Sequence, residues 1–261
     1  MIHASEHGRS LGTAIMNHVL SELGGSRAKI LDIAASQKSA PFFARFGAVE
    51  TAHIPGGWGP VLHRVDMELP LPMVDIPIAL RTARLDMRPP SEDDGARLHA
   101  AMRESIGELR EFLSALPWVD RGVSLASADS HCRTVRSRFL ARRELSYFFF
   151  ERARGQLAGS AGLYRPEWSI PRFEVGYWCR TSKTGQGLTT EAVRAVMRMA
   201  FDTLCAERLE LITDEANVRS RRLAERTGFG LEGIHIRDRR APDGTLRNTC
   251  VYALTSRPEG I

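Results

Sequence analysis

Apolar residues recur every three to four positions from Leu188 to Leu204. Val193, Met197, Ala200, Phe201 and Leu204 share one face, while Glu191, Arg194, Arg198 and Asp202 lie elsewhere, which predicts an amphipathic helix. A strand-like run, Phe173-Glu-Val-Gly-Tyr-Trp-Cys179, leads towards it. Between them, Arg180-Thr-Ser-Lys-Thr-Gly-Gln-Gly-Leu-Thr-Thr-Glu-Ala192 sets Gly185 and Gly187 where strand turns to helix. Glycine admits positive φ and a close ligand. The first amides of a helix have no internal partner and point into such a turn, so strand, glycine turn and helix form a pyrophosphate site. The alternative is an ordinary glycine turn. Two phosphate motifs fail here: no Lys follows Gly187 as a P-loop needs, and Thr190 stands where a dinucleotide fingerprint needs its third glycine.

The same patterns extend through residues 78–261. Arg84–Arg88 alternates as a strand, closed by Pro89-Pro90. Ser91-Glu-Asp-Asp is an N-cap with an acidic first turn, opening a helical region to Leu116 with Leu98, Met102, Ile106 and Leu109 on one stripe. Pro117-Trp118 breaks it, and Ser127–Arg143 reads as a second helix. Leu145–Glu151 and Gln156–Tyr164 form a hairpin turning at Gly155. After the long helix come a strand at Arg208–Thr213, a helix from Asn217 closed by Gly228, and two strands near 230–239 and 247–255. Pro242-Asp-Gly244 joins those last strands.

Residues 1–75 read as helix, strand, helix, strand, strand. Leu11, Ile15, Val19 and Leu23 share a helical face ended by Gly24-Gly25, and Lys29–Ala34 is a buried strand. Ser39 caps a short helix, Ala40–Phe46, with Pro41 in its first turn. Two strands, Val49–Ile54 and Val61–Leu69, flank the turn-rich Pro55-Gly-Gly-Trp-Gly-Pro60. Pro70–Pro77 reads as a linker, because its prolines stop strand and helix alike.

Composition narrows the class. With 261 residues the chain holds one large domain or two smaller ones. No apolar run reaches the ~18 residues of a membrane span and no signal-peptide pattern opens the chain, so a cytoplasmic protein with no membrane partner is expected. Cys132, Cys179, Cys205 and Cys250 have no metal-ligand spacing, and His3, His7, His18, His53 and His63 form no clear ligand set, so no metal is expected. Six Lys/Arg against seven Asp/Glu in residues 1–75 leave 30 against 24 beyond, an excess suited to an anionic ligand. There is no dense basic stripe for nucleic acid.

Two signatures point to a family. Thr184-Gly-Gln-Gly-Leu-Thr189 resembles the coenzyme A loop of the GNAT acetyltransferases, Gln/Arg-x-x-Gly-x-Gly/Ala, in its RimJ/RimL-like branch. It departs at the first and last positions, Thr184 and Thr189, whereas Arg9-x-x-Gly12-x-Ala14 satisfies the pattern in full. Asp214-x-x-Asn217-x-x-Ser220-x-x-x-Ala224-Glu-Arg-x-Gly-Phe229 resembles the second signature of that branch, as do Leu231-Glu-Gly233 and Pro242-Asp-Gly244. The similarity covers about residues 80–256.

The resemblance implies an α/β fold with a mixed central sheet flanked by helices. It implies a complete GNAT domain over 81–261, a linker at 71–80, and a partial, non-catalytic GNAT half-domain over 1–70. The open sheet edge of that half leaves either an internal pseudo-dimer or a homodimer between chains.

Acetyl-CoA is the implied co-substrate, and the acceptor is a primary amine of a protein N-terminus or a small molecule. The loop amides from Gly185 to Thr190, including Gln186, Gly187, Leu188 and Thr189, would bind the pyrophosphate. The strand through Tyr177, Trp178 and Cys179 would pair with the pantetheine arm and face the thioester carbonyl. Arg180 and Lys183 would add charge, with a plain surface lysine as the alternative for Lys183. Asn217 would bond the pantetheine amide and Ser220 would donate to the leaving thiolate; helix capping is the alternative for both. Glu174 is the first candidate for general base, with Asp238 and Glu232 in reserve, and an ion pair with Arg172 is its structural alternative. A non-catalytic acyl-CoA-binding regulator is the competing function.

Overall fold

The computed structural model describes residues 11–24, 30–70, 75–113, 124–168 and 170–258. The chain divides into two compact units, Met1–Val74 and Asp75–Ile261.

The first unit comprises α1 (Leu11–Gly24), β1 (Ile30–Ser36), α2 (Ala40–Ala44), β2 (Val49–Gly59) and β3 (Leu62–Pro70). Its sheet runs β1-β3-β2, antiparallel throughout. Met16 of α1 and Ala40 of α2 pack with Val65, Met67 and Leu69, the alternate residues of β3. The turn expected at Pro55-Gly56-Gly57 is instead strand: β2 continues to Gly59, whose pairing with Leu62 closes the hairpin, with a register shift after Ile54. Pro and Gly are tolerated there because β2 is an edge strand. Ser39 does not cap α2 through its side chain; its Oγ accepts from Ser36 N–H at 3.0 Å.

The second unit adds β4 (Leu80–Arg81), β5 (Leu85–Arg88), α3 (Gly95–Leu113), α4 (Leu125–Leu140), β6 (Leu145–Glu151), β7 (Gln156–Glu167), β8 (Arg172–Cys179), α5 (Leu188–Asp202), β9 (Arg208–Asp214), α6 (Val218–Arg226), β10 (Gly230–Arg240) and β11 (Leu246–Leu254). Its eight-stranded sheet is ordered β10-β11-β9-β8-β7-β6-β5-β4. Every neighbouring pair is antiparallel except β8 and β9. Leu145 to Phe150 of β6 are buried without alternation, as in a strand covered on both faces. Leu98 and Met102 of α3 and Cys132 of α4 pack on Phe148, Phe150 and Leu157. The short β4 begins at Leu80, the last residue of the stretch expected to be linker. The helix break expected at Pro117-Trp118 lies outside the described residues.

The two units share a pattern. The last five elements of the second, α5 to β11, repeat the order of the first: helix, strand, helix, strand, strand. Their strands also follow one spatial order, β9-β11-β10 matching β1-β3-β2. The registers correspond pair for pair: Asp32 and Val49 both oppose Glu68, as Glu210 and Gly230 both oppose Ala253. A bulge falls at the same place in each, skipping Thr51 in β2 and Glu232 in β10.

Candidate active site

The sheet of the second unit opens at its one parallel junction. β8 and β9 pair only at Arg172–Arg208, Phe173–Leu209 and Glu174–Glu210. Beyond Glu174 the strands part, so the β9-facing backbone of Val175 to Cys179 has no strand partner. A cleft of about 1640 Å³ enters this gap, lined by β8, β9, the glycine loop and the N-terminus of α6.

At one end lies the glycine loop. Gly187 is the N-cap of α5 with φ 76°, and Gly185 has φ 73°. Both need the left-handed backbone that glycine adopts freely. The first helical bond runs from Glu191 N–H to Gly187 O (3.1 Å), so the amides of Leu188, Thr189 and Thr190 have no helical acceptor. The loop is braced from behind. Arg84 Nη1 donates to Gln186 O (2.9 Å) and its Nε donates to Glu191 Oε2 (2.6 Å). Thr82 Oγ1 donates to Glu191 Oε1 (2.6 Å). Burial alone would raise the Glu191 carboxyl, but hydrogen bonds from Thr82 and Arg84 hold it below its usual range. Ahead of the loop, Glu104 of α3 accepts from Ser182 N–H (2.7 Å) and Arg180 Nε (2.6 Å).

At the middle of the cleft, Tyr177 of β8 reaches α6. Its hydroxyl lies 2.7 Å from Ser220 Oγ. Burial pushes the Tyr177 phenol up to about 12, against smaller opposing effects of the Ser220 hydrogen bond and Arg226. Asn217 caps α6, its Oδ1 accepting from Ser220 N–H at 3.1 Å.

The far end is polar and carboxylate-bearing. Glu174 Oε2 is buried and receives no aligned hydrogen bond, although Arg165 Nη1 lies 2.8 Å away. Burial raises its carboxyl above the usual range, against Arg165. Next to it, Ser146 Oγ lies 3.0 Å from Ser160 Oγ and 3.2 Å from Tyr164 Oη. Glu144 lines the same end and is also raised by burial, against its ion pair with Arg138.

The cleft brings together the residues predicted to hold the cofactor or act on it, except Arg180 and Gln186; the Gln186 side chain donates to Ser182 O at 3.0 Å outside the lining. Lys183 is neither surface-exposed nor available as a free charge: it is 5% exposed and its ammonium is paired with Glu151. Arg180 is likewise committed to Glu104. Neither side chain is left as an unpaired cation beside the loop. Asn217 does cap its helix, and Ser220 is not itself the cap. The reserve bases stand outside the cleft lining: Glu232 pairs with Arg208, and Asp238 lies 3.8 Å from His235. Glu174 pairs with Arg165, not Arg172. The Arg84 brace, the Glu104 clamp and the Tyr177 hydroxyl were not foreseen. No local pattern marks them, since Arg84 and Gln186 stand 102 residues apart. Among the described residues no cluster of three or more His, Cys, Asp or Glu could hold a metal ion, and no helix is long and apolar enough to cross a membrane.

A parallel-strand splay meeting a glycine-capped helix is the arrangement that the sequence resemblance implied. The acetyltransferase (GNAT) domain model matches residues 84–230, so this chain belongs to the GNAT acetyltransferase family. YdaF of Bacillus subtilis strain 168, named provisionally as a ribosomal N-acetyltransferase, is 31% identical over 103 residues, 40% of this chain. The match spans 56% of YdaF, so the chain covers little more than half of that relative's length. The solved structure of RimL, a ribosomal L7/L12 alpha-N-protein acetyltransferase in complex with coenzyme A, superposes with TM-score 0.62 at 21% identity, covering 69% of this chain and 97% of RimL. The microcin C7 self-immunity acetyltransferase MccE, solved with acetyl-CoA and AMP, gives TM-score 0.61 at 16% identity over 67% of this chain and 94% of its own. At these identities the two structures speak for the fold.

Proposed function

We propose that this chain transfers acetyl from acetyl-CoA to a primary amine by direct attack in a ternary complex, and that the acceptor is a protein N-terminus or a small amine. The carrying observation is the coincidence at one cleft of the β8–β9 splay with the glycine-capped N-terminus of α5. In this reading the amides of Leu188 to Thr190 hold the pyrophosphate. The open backbone of β8 pairs with the pantetheine arm and sets an amide near Tyr177 or Trp178 against the thioester oxygen.

An alkyl ammonium near pKa 10 must lose a proton before it attacks. Glu174, raised by burial and lining the cleft in its ion pair with Arg165, is the base. The neutral amine then forms a C–N bond at the thioester carbon, and its nitrogen gives up a second proton to water; as the tetrahedral intermediate collapses, the C–S bond breaks with its electron pair moving onto sulfur, and Ser220 donates a hydrogen bond to that sulfur. Support for a peptide acceptor comes from RimL, named as a ribosomal L7/L12 alpha-N-protein acetyltransferase, and from YdaF, named for ribosomal N-acetylation.

The matching registers further support reading Met1–Val74 as a second, partial copy of the C-terminal half of the fold, without catalysis of its own. The test is release of CoA from acetyl-CoA with a panel of peptides bearing free or blocked α-amines, alongside small amines. Turnover requiring a free amine is expected. Tight acetyl-CoA binding without turnover on any amine would instead favour a regulatory acyl-CoA-binding protein.

A further inference from the structure

Ser220 is held twice. Asn217 Oδ1 accepts from its backbone N–H at 3.1 Å, which fixes where α6 presents it. Tyr177, arriving from β8 on the opposite wall of the splay, brings its hydroxyl to 2.7 Å from Ser220 Oγ. The Ser220 carbonyl is a second and longer acceptor for that hydroxyl, at 3.4 Å. Tyr177 and Ser220 both line the cleft, on strand and helix respectively. Among the described residues of the first unit no such bridge occurs: Ser39, at the start of α2, has its hydroxyl 3.0 Å from the Ser36 hydroxyl.

The direction of the bridge follows from acidity. A phenol is a stronger acid than an aliphatic alcohol, so Tyr177 donates and Ser220 Oγ accepts. A serine hydroxyl has one proton and two lone pairs. With one lone pair taken by Tyr177, the serine rotor is fixed and its proton is aimed away from the bridge. Burial, which pushes the Tyr177 phenol up to about 12, keeps it protonated as a donor through the neutral range. An acceptor that is already polarised by a hydrogen bond is also a better donor in turn.

We propose that Tyr177 is a positioning residue for thiolate departure: its hydroxyl orients and polarises Ser220, so that the Ser220 O–H is directed at the sulfur of the bound thioester. The proposal rests on the transferase reading given above. No proton need leave Tyr177. The sulfur departs as a thiolate hydrogen-bonded to Ser220 and takes its proton from water after release. Tyr177 thereby has two roles on one residue, its backbone on the cofactor-pairing strand and its side chain acting through Ser220.

The test uses the full-length chain, with acetyl-CoA and the fastest acceptor found in the amine panel. Turnover is measured for wild type, Tyr177→Phe, Ser220→Ala and the double variant, and acetyl-CoA affinity is measured by calorimetry. Tyr177→Phe keeps the ring packing and removes only the hydroxyl. It is expected to lower kcat about tenfold, the scale of one hydrogen bond in the transition state. Acetyl-CoA affinity and melting temperature should stay at the wild-type values, which a purely structural role would not allow. The double variant should be no slower than Ser220→Ala alone, because Tyr177 acts only through the serine. Losses that multiply in the double variant, or a full-speed Tyr177→Phe beside an impaired Ser220→Ala, would overturn the coupling and leave the transferase reading intact. A full-speed Ser220→Ala would remove Ser220 from the mechanism and the proposal with it. Absence of turnover by the wild type would overturn the transferase reading itself.

Discussion

The segment α1 to β3 and the segment α5 to β11 are built alike and end differently. They share element order, strand order, register and the position of a bulge. The second borders the cleft described above. Its leading helix starts at a left-handed glycine, Gly187, whereas Gly12 lies inside α1 with no positive φ. Its first strand, β9, has β8 beside it to form a splay, whereas β1 has β3 as its one partner among the described residues. Its second helix presents Ser220 towards an open cleft, whereas the Ser39 hydroxyl is turned onto Ser36. Shared topology therefore does not fix the surroundings of the helix N-termini. Under the proposed function, what makes an acyl-CoA site is a neighbouring strand that pairs and then departs, together with a backbone turn that only glycine adopts easily.

The largest expected effect lies at the two glycines. Valine at 187 would have to hold φ near 76°, and its Cβ would sit 3.5 Å from Arg84 Nη2, the residue that braces the loop. A β-branched residue in the left-handed region is strained by about 1–3 kcal/mol, and the side chain would also stand where a phosphate must approach. Calorimetry should give one acetyl-CoA site per wild-type chain. Gly187→Val should weaken it by on the order of 100-fold or more, combining that strain with lost amide contacts. Gly12→Val should leave affinity unchanged. Two sites per chain, or a loss on Gly12→Val, would break the contrast between the halves.

A second contrast uses equivalent strand positions. Glu174 pairs with Glu210 at the last rung before the splay, and the register places Asp32 of β1 where β9 has Glu210. Glu174→Gln should lower kcat by about 100-fold, the lower end for a positioned base. In the wild type the rate should rise with pH through the Glu174 carboxyl, which burial holds above 4.5, because only the carboxylate accepts the proton. That limb should disappear in Glu174→Gln. Asp32→Asn should change neither rate nor profile. A Glu174→Gln enzyme with wild-type rate at every pH would mean that water accepts the proton.

These contrasts also mark what the sequence could tell. The strand, glycine turn and helix from Phe173 to Asp202 are legible because each signal is local: alternation, a glycine pair, a 3.6-residue period. The fuller motif match, Arg9-x-x-Gly12-x-Ala14, states residue types but not backbone angles, and its glycine is helical. Lys183 shows a related limit. Position beside the loop suggests a phosphate ligand, but Glu151, 32 residues earlier in the chain, claims the ammonium. The Tyr177–Ser220 bridge spans 43 residues and exists only once β8 and α6 face each other. The second half of β2, from Pro55 to Gly59, reads as turn because Pro55 and Gly56 are breakers in sequence, where the edge position of the strand is not visible.

The smallest expected effect tests whether the two units are energetically separate. Asp94 belongs to the part of Asp75–Ile261 that has no counterpart in the first unit, and its side chain is 0% exposed. Arg88 grips it through Nη1 at 2.6 Å and Nη2 at 2.8 Å, and Ser91 N–H and Oγ donate at 2.7 and 2.9 Å. Burial opposes the charge, but the Arg88 and Ser91 hydrogen bonds win and lower the carboxyl from 3.8 to about 2. A lowered folded value favours the ionised form, so the contribution is present above pH 3.8 and lost as pH falls through about 2. It amounts to about 2 kcal/mol. Asp94→Asn should therefore lower the melting transition of the larger unit by about 4–8 °C at neutral pH, and the gap to wild type should close towards pH 2. The transition of Met1–Val74 should not move, because no part of the Arg88–Asp94 clamp belongs to that unit. If both transitions fell together, the first unit would be folded onto the second as one cooperative body, and its likeness to α5–β11 would be a matter of shared assembly, not of two independent copies.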